Sequence, residues 1–138
     1  MKKLTREWVK KAEGDRLVAV QSSRGRSATP LHDAVCFHCQ QCAEKYFKAL
    51  MQELALPITK THDLGDLLAA LRPHHPALST LGRGLDFLSD FAVDPRYPGN
   101  WASKRQATAA LRWMEKTRTA ARHILGIRPL RKPRKKAP

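Results

Sequence analysis

The chain has 138 residues and a formal net charge of +14, with 42% hydrophobic and 28% charged residues. That length suits one domain with a single core, and no apolar run approaches the roughly 18 residues that a membrane helix needs. The basic N-terminus MKKLTREWVKKAEGD lacks the apolar stretch of a secretory signal, so a cytoplasmic protein with no membrane partner is expected. Three closely spaced cysteines do not make a disulfide framework.

In chain order, RGRSATP (24–30), LPITKT (56–61), RPHHP (72–76) and DPRYPGN (94–100) read as loops. Helical patterns lie between them, and no segment alternates as a strand does. The first helix is predicted over 5–23, with Thr5 as its N-cap. On it Trp8, Ala12, Asp15 and Ala19 fall within about 40° of one line. The second is predicted over 31–56, with Pro30 at its entry and Pro57 just past its end. A third begins near His62 with Thr61 as N-cap and Asp63 favouring the helix dipole. RPHHP interrupts it, and a further helical piece covers 77–92. The last runs over 102–125 and ends at Gly126, with a buried stripe of Ala110, Met114, Thr117, Ala121 and Ile124 or Leu125. Amphipathic helices joined by short connections imply an all-α, up-and-down bundle. The tail RPLRKPRKKAP (128–138) holds six basic residues and no acid, which leaves +8 of the +14 on the body. The tail is expected to be disordered and to add salt-dependent affinity for polyanions. A body this basic attracts polyanions too, with RNA or DNA as the obvious partners.

The string CFHCQQC (36–42) suggests a metal site until it is placed on the second helix. Steps of three residues drift about 60° around the axis, so the sulfurs form a slanted stripe. Val35, Cys39, Cys42, Ala43, Tyr46, Leu50 and Leu54 make one apolar face, on which cysteine behaves as a small hydrophobe. No second CxxC pair completes a zinc site, and His38 projects about 100° away from Cys39. Packing sulfur is the expectation, with no metal and no cofactor. Beside this face runs a polar stripe of Phe37, Gln41, Glu44 and Lys48, in which Glu44 and Lys48 are placed for an i,i+4 pair. The stripe reads either as a solvated face or as a polar pocket between helices. Asp15 favours the pocket, because a carboxylate on an apolar line needs a partner; Lys48 or Lys45 fits.

Four pieces in order, Trp8/Ala12/Asp15, FHCQQCAEKYFKALM (37–51), KTHDLGDLL (60–68) and RYPG (96–99), resemble the HEPN domain family (higher eukaryotes and prokaryotes nucleotide-binding) over about 4–125. The resemblance implies a four- to five-helix up-and-down bundle over 1–127 that commonly forms a homodimer. It also implies a minimal nucleotidyltransferase as partner, in a two-component module. In some similar proteins the pair is a toxin and antitoxin, and the HEPN member is a metal-independent ribonuclease with an Arg-x(4–6)-His motif near the start of the last helix. Here Arg96 stands in the corresponding loop, but no histidine follows until His123. The spacing recurs at Arg26–His32 and Arg118–His123, as often as composition alone would produce. Metal-free RNA cleavage needs a base and a proton donor, which histidine supplies near neutral pH and arginine does not.

Arg96 therefore reads as a phosphate clamp. Tyr97 reads as a stacking group or as a turn packing over the bundle end. His62 and His38 read as acid–base candidates or as capping and surface residues. The expected nucleotide or RNA contacts are Arg96, Tyr97, Lys48, Glu44, Gln41 and Asp15, and the catalytic candidates are Arg96, His62 and His38. The expected function is a nucleotide- or RNA-binding dimeric partner of a minimal nucleotidyltransferase. The alternative is a ribonuclease toxin with a non-standard Arg/His site, so whether the chain is an enzyme stays open.

Overall fold

A long central helix, α2 (His32–Glu53), organises the molecule, which is represented by a computed structural model describing residues 1–25, 28–92 and 98–129. Around it lie α1 (Lys3–Arg24), α3 (Leu64–Leu71), a 3-10 segment (Pro76–Leu81), α4 (Gly82–Ser89) and α5 (Lys104–Ile124). Among the described residues there is no strand, and none of their helices is long and apolar enough to cross a membrane. α2 touches α1, α3, α4 and α5. Hydrogen bonds give the directions. The start of α1 meets the end of α2 through Lys2 and Glu53, and Asp33 at the start of α2 accepts from the Ala102 N–H just before α5. The chain therefore runs up and down, with α2 and α5 parallel.

The predicted faces are buried. Val35, Cys39, Cys42, Ala43, Tyr46 and Leu50 of α2 are sealed from solvent, as are Ala12 and Ala19 of α1 and Ala110, Met114, Thr117 and Ala121 of α5. Leu54, Ile124 and Leu125 pack at the margin of this core. Cys36, Cys39 and Cys42 are free thiols inside it. Burial pushes the Cys36 thiol up to about 12, and Asp33 adds to the shift. Burial raises Cys39 and Cys42 further, so all three stay protonated and behave as hydrophobes.

Helix ends differ from expectation where a tertiary or backbone partner decides them. α1 begins two residues earlier than predicted, and Thr5 is a buried residue of its first turn rather than a cap. The backbone N–H of Lys2 donates to Glu53 Oε2 at 3.0 Å instead. α2 ends at Glu53 because Ala55 turns left-handed (φ 56°). The N–H groups of Ala55 and Leu56 then bond back to Gln52 and Met51 carbonyls, a Schellman ending. Asp63, not Thr61, caps α3, accepting from the N–H groups of Gly65 and Asp66. Thr61 accepts from the Asp63 N–H and donates to Asp66 Oδ2. The piece predicted over 77–92 is split into the 3-10 segment, which starts at Pro76, and α4. α5 opens with a capping box in which Ser103 Oγ accepts from Gln106 N and Gln106 Oε1 from Ser103 N. Gly126 (φ 72°) closes it as expected.

Candidate functional site

The polar stripe of α2 meets α1 on one side and the segment before α3 on the other, and a carboxylate is enclosed on each side. Asp15 reaches from α1 to accept from Lys45 Nζ on Oδ2 at 2.5 Å, while its Oδ1 lies 2.8 Å from His38 Nδ1. Glu44 accepts from Lys48 Nζ on Oε2 at 3.0 Å, while its Oε1 lies 2.9 Å from His62 Nδ1. The two sets share one logic: a lysine on one carboxylate oxygen and an imidazole on the other.

The second set is the more deeply built. The Glu44 and Lys48 side chains are only 5% and 8% exposed, whereas the His62 side chain is 62% exposed. Burial pushes the Glu44 carboxyl up, but the hydrogen bonds from His62, Lys48 and Gln40 outweigh it and leave the group below the usual carboxylate range. Gln40 Nε2 donates both to Glu44 Oε1 and to the His62 carbonyl, each at 3.1 Å, so it ties the loop before α3 to α2. Gln41 donates to Gln40 Oε1 at 2.7 Å. Lys48 Nζ also lies 5.8 Å from the centre of the Trp8 ring, a cation–π contact. A carboxylate that receives Nδ1–H leaves Nε2 as the basic, outward nitrogen of the imidazole. His62 is thus oriented from beneath and open above.

The sequence-predicted residues thus separate. Asp15, His38 and Lys45 form one set, and Glu44, Lys48, His62 and Gln41 join the other. Glu44 and Lys48 neutralise each other in the interior. Arg96 and Tyr97 lie outside the described residues, as do Arg26 and residues 130–138 of the tail. Of the other Arg–His spacing, Arg118 is held on Glu13 by two hydrogen bonds of 2.7 and 2.8 Å, while His123 is exposed.

Two features escaped sequence reasoning. Gln40 is fully buried, yet it falls between the apolar and polar lines of α2 and belongs to neither. The Glu13 network spans α1, α2 and α5: Arg118 and Arg122 converge on Glu13, and Arg122 Nη1 donates to Tyr46 Oη at 3.2 Å. Burial pushes Glu13 up, but its hydrogen bonds and the charges of Arg118 and Arg122 leave it below the usual range. Burial also raises the Tyr46 hydroxyl to about 12. The i,i+4 spacing of Arg118 and Arg122 beside a buried alanine was its only local signal.

The residues that follow 93–97 line a cleft of about 550 Å³ with Phe87, Phe91, Asn100, Trp101 and Gln106. Phe87 and Phe91 meet edge to face, 5.2 Å between centres. Trp101 stands 78% exposed at its rim. Among the described residues no three His, Cys, Asp or Glu side chains are grouped to hold a metal ion.

An all-helical bundle with paired carboxylate–histidine contacts along its central helix is the class these features define. The family model described as the HEPN domain matches residues 5–124. The chain belongs to the HEPN domain family. It is similar in fold to the crystal structure of TT1696 from Thermus thermophilus, with a TM-score of 0.69 and 21% identity over 86% of this chain and 96% of that one. No curated protein matches it.

Proposed function

We propose that this protein is a dimeric, nucleotide- or RNA-binding partner of a minimal nucleotidyltransferase in a two-component module of the toxin–antitoxin kind. The observation that carries the reading is the HEPN match over residues 5–124, which supports a nucleotide- or RNA-related role. The partner follows from the resemblance of the Asp15, FHCQQCAEKYFKALM, KTHDLGDLL and RYPG pieces to family members encoded beside such enzymes. In this reading Glu44 and Lys48 act from below, fixing His62 at the surface, and Gln41 and Asp15 hold the neighbouring rim. Arg96 clamps a phosphate and Tyr97 stacks a base or ribose. The dimer follows from the same resemblance.

The reading requires a minimal nucleotidyltransferase encoded beside this chain, and co-expression of the two tests it. A complex that co-elutes at fixed stoichiometry, with two copies of this chain, is expected. Separate elution of both proteins at micromolar concentration contradicts it.

One observation favours a second reading, a metal-independent ribonuclease. His62 is held through Nδ1 by a buried carboxylate and opens its ring to solvent, the arrangement of an oriented general base or acid. His62 would take the 2′-hydroxyl proton as that oxygen bonds to phosphorus, solvent would protonate the leaving oxygen, and Arg96 would steady the charge on phosphorus; His38, held on Asp15, belongs to the other set.

A further inference from the structure

The surface of α5 that faces away from the core carries a different pattern from the α2 site. Arg105, Arg112, Lys116 and His123 lie within about 40° of one line at 100° per residue. Thr108 and Thr119 flank that line, and all six residues are exposed. The line is opposite Ala107, Ala110, Met114, Thr117 and Ala121, which are buried, so the stripe is the outermost part of the helix. From Arg105 to His123 it extends about 27 Å at 1.5 Å per residue.

The distribution of charge makes the stripe available. Several acidic side chains are engaged within the fold: Glu13 by Arg118 and Arg122, Asp15 by Lys45 and His38, Glu44 by Lys48 and His62, and Asp33 by the Ala102 N–H. Glu115, on α5 beside the stripe, is turned to Arg16 and Arg118. In contrast, the side chains of Lys104, Arg105 and Arg112 make no ion pair or hydrogen bond among the described residues. Lys116 lies over the Trp113 ring at 4.9 Å and keeps its charge outward. Positive charge thus gathers on this face with no acid paired to it. Three residues before Lys104 in sequence stands Trp101, 78% exposed, at the rim of the cleft that it shares with Asn100 and Gln106.

An exposed aromatic leading into a groove or stripe of cations is the arrangement that holds single-stranded nucleic acid: bases stack on the ring, while the backbone follows the charges. We propose that Trp101 and the outer face of α5 form a track for single-stranded RNA, with Trp101 stacking a base and Arg105, Arg112 and Lys116 contacting successive phosphates. This rests on the RNA-binding reading above and names its surface. The track shares no residue with the Glu44–His62 set.

The test is fluorescence anisotropy with a labelled single-stranded RNA of about 15 nucleotides, titrated at several salt concentrations. Four forms of the full chain are compared: wild type, Trp101→Ala, the triple variant R105Q/R112Q/K116Q, and a charge-matched control on α1, K3Q/K10Q/K11Q. Glutamine keeps helix propensity, and circular dichroism checks that each variant folds. Loss of one stacked base should weaken binding about tenfold in Trp101→Ala with the salt slope unchanged. The α5 triple should reduce the slope of log K against log salt by about 2, at roughly 0.7 per single-strand phosphate contact. The α1 control should change the slope by less than half as much. Equal effects of the two triples, or an unaltered Trp101→Ala, would overturn the track while leaving RNA binding in place. No binding by wild type at low salt would overturn both the track and the RNA-binding reading beneath it.

Discussion

Ala55 holds a left-handed backbone, φ 56°, at the end of α2, where Gly126 (φ 72°) does the same for α5. An L-residue in this region costs roughly 1–2 kcal/mol relative to the right-handed helix, while glycine reaches it without strain but loses more chain entropy. The Schellman hydrogen bonds of this ending are made by backbone alone, and Ala55 is exposed, so glycine would keep those bonds without the strain. Ala55→Gly should therefore stabilise the fold by about 0.5–1 kcal/mol, and Gly126→Ala should destabilise it by about 1 kcal/mol, both read from urea unfolding. A loss of stability in Ala55→Gly would contradict the account of this ending. Glu44 makes a second prediction at this scale. Its folded pKa lies below the ordinary 4.5, so its contribution is complete above that value and is lost as pH falls through the lowered one. Stability measured between pH 7 and pH 3 should fall on the acid side, and Glu44→Gln should flatten that fall while lowering stability at neutral pH by about 1–3 kcal/mol. Glu13 is depressed in the same direction, so the acid limb should shrink rather than vanish. An acid limb identical in Glu44→Gln would count against the network.

Between elements, one close approach stands out. A Cβ on Gly84 of α4 would lie 2.0 Å from the Trp113 ring of α5, so the ring packs directly on the α4 backbone. Gly84→Ala should cost about 3 kcal/mol, the upper range for overpacking, and should change the tryptophan fluorescence of the native state. Near-wild-type stability would show that Trp113 does not seat there. The same scale explains what was legible in the sequence. The apolar faces of α2 and α5 were readable because helical periodicity is local, and Gly126 because a left-handed turn favours one residue type. The start of α1 was not, because no side chain caps it and the Lys2 N–H is instead taken up by Glu53, at the far end of α2. The break before α4 was visible only as Pro76 opening a 3-10 turn.

Across the whole molecule, the need of Asp15 for a partner was legible from burial chemistry, and Lys45 is one of the two lysines that fitted it. That His38 would join it, or that Glu44 would turn to His62, depends on helix packing and on a loop anchored by Gln40, and no local pattern encodes either. Glu13 and Arg118, 105 residues apart, lie still further beyond periodicity. The high charge was plain from composition, but its placement was not. The fold pairs many of its acids between helices and leaves α5 cationic outside, and this distribution is what the proposed binding of RNA rests on. The measurement that tests this most directly is a gel of purified protein with labelled single-stranded RNA in EDTA, beside His62→Ala and Arg96→Ala. Retarded, full-length RNA is the predicted result. RNA left unshifted at low salt, or cleavage that either variant abolishes, would contradict the account, the second by making this protein a ribonuclease in its own right.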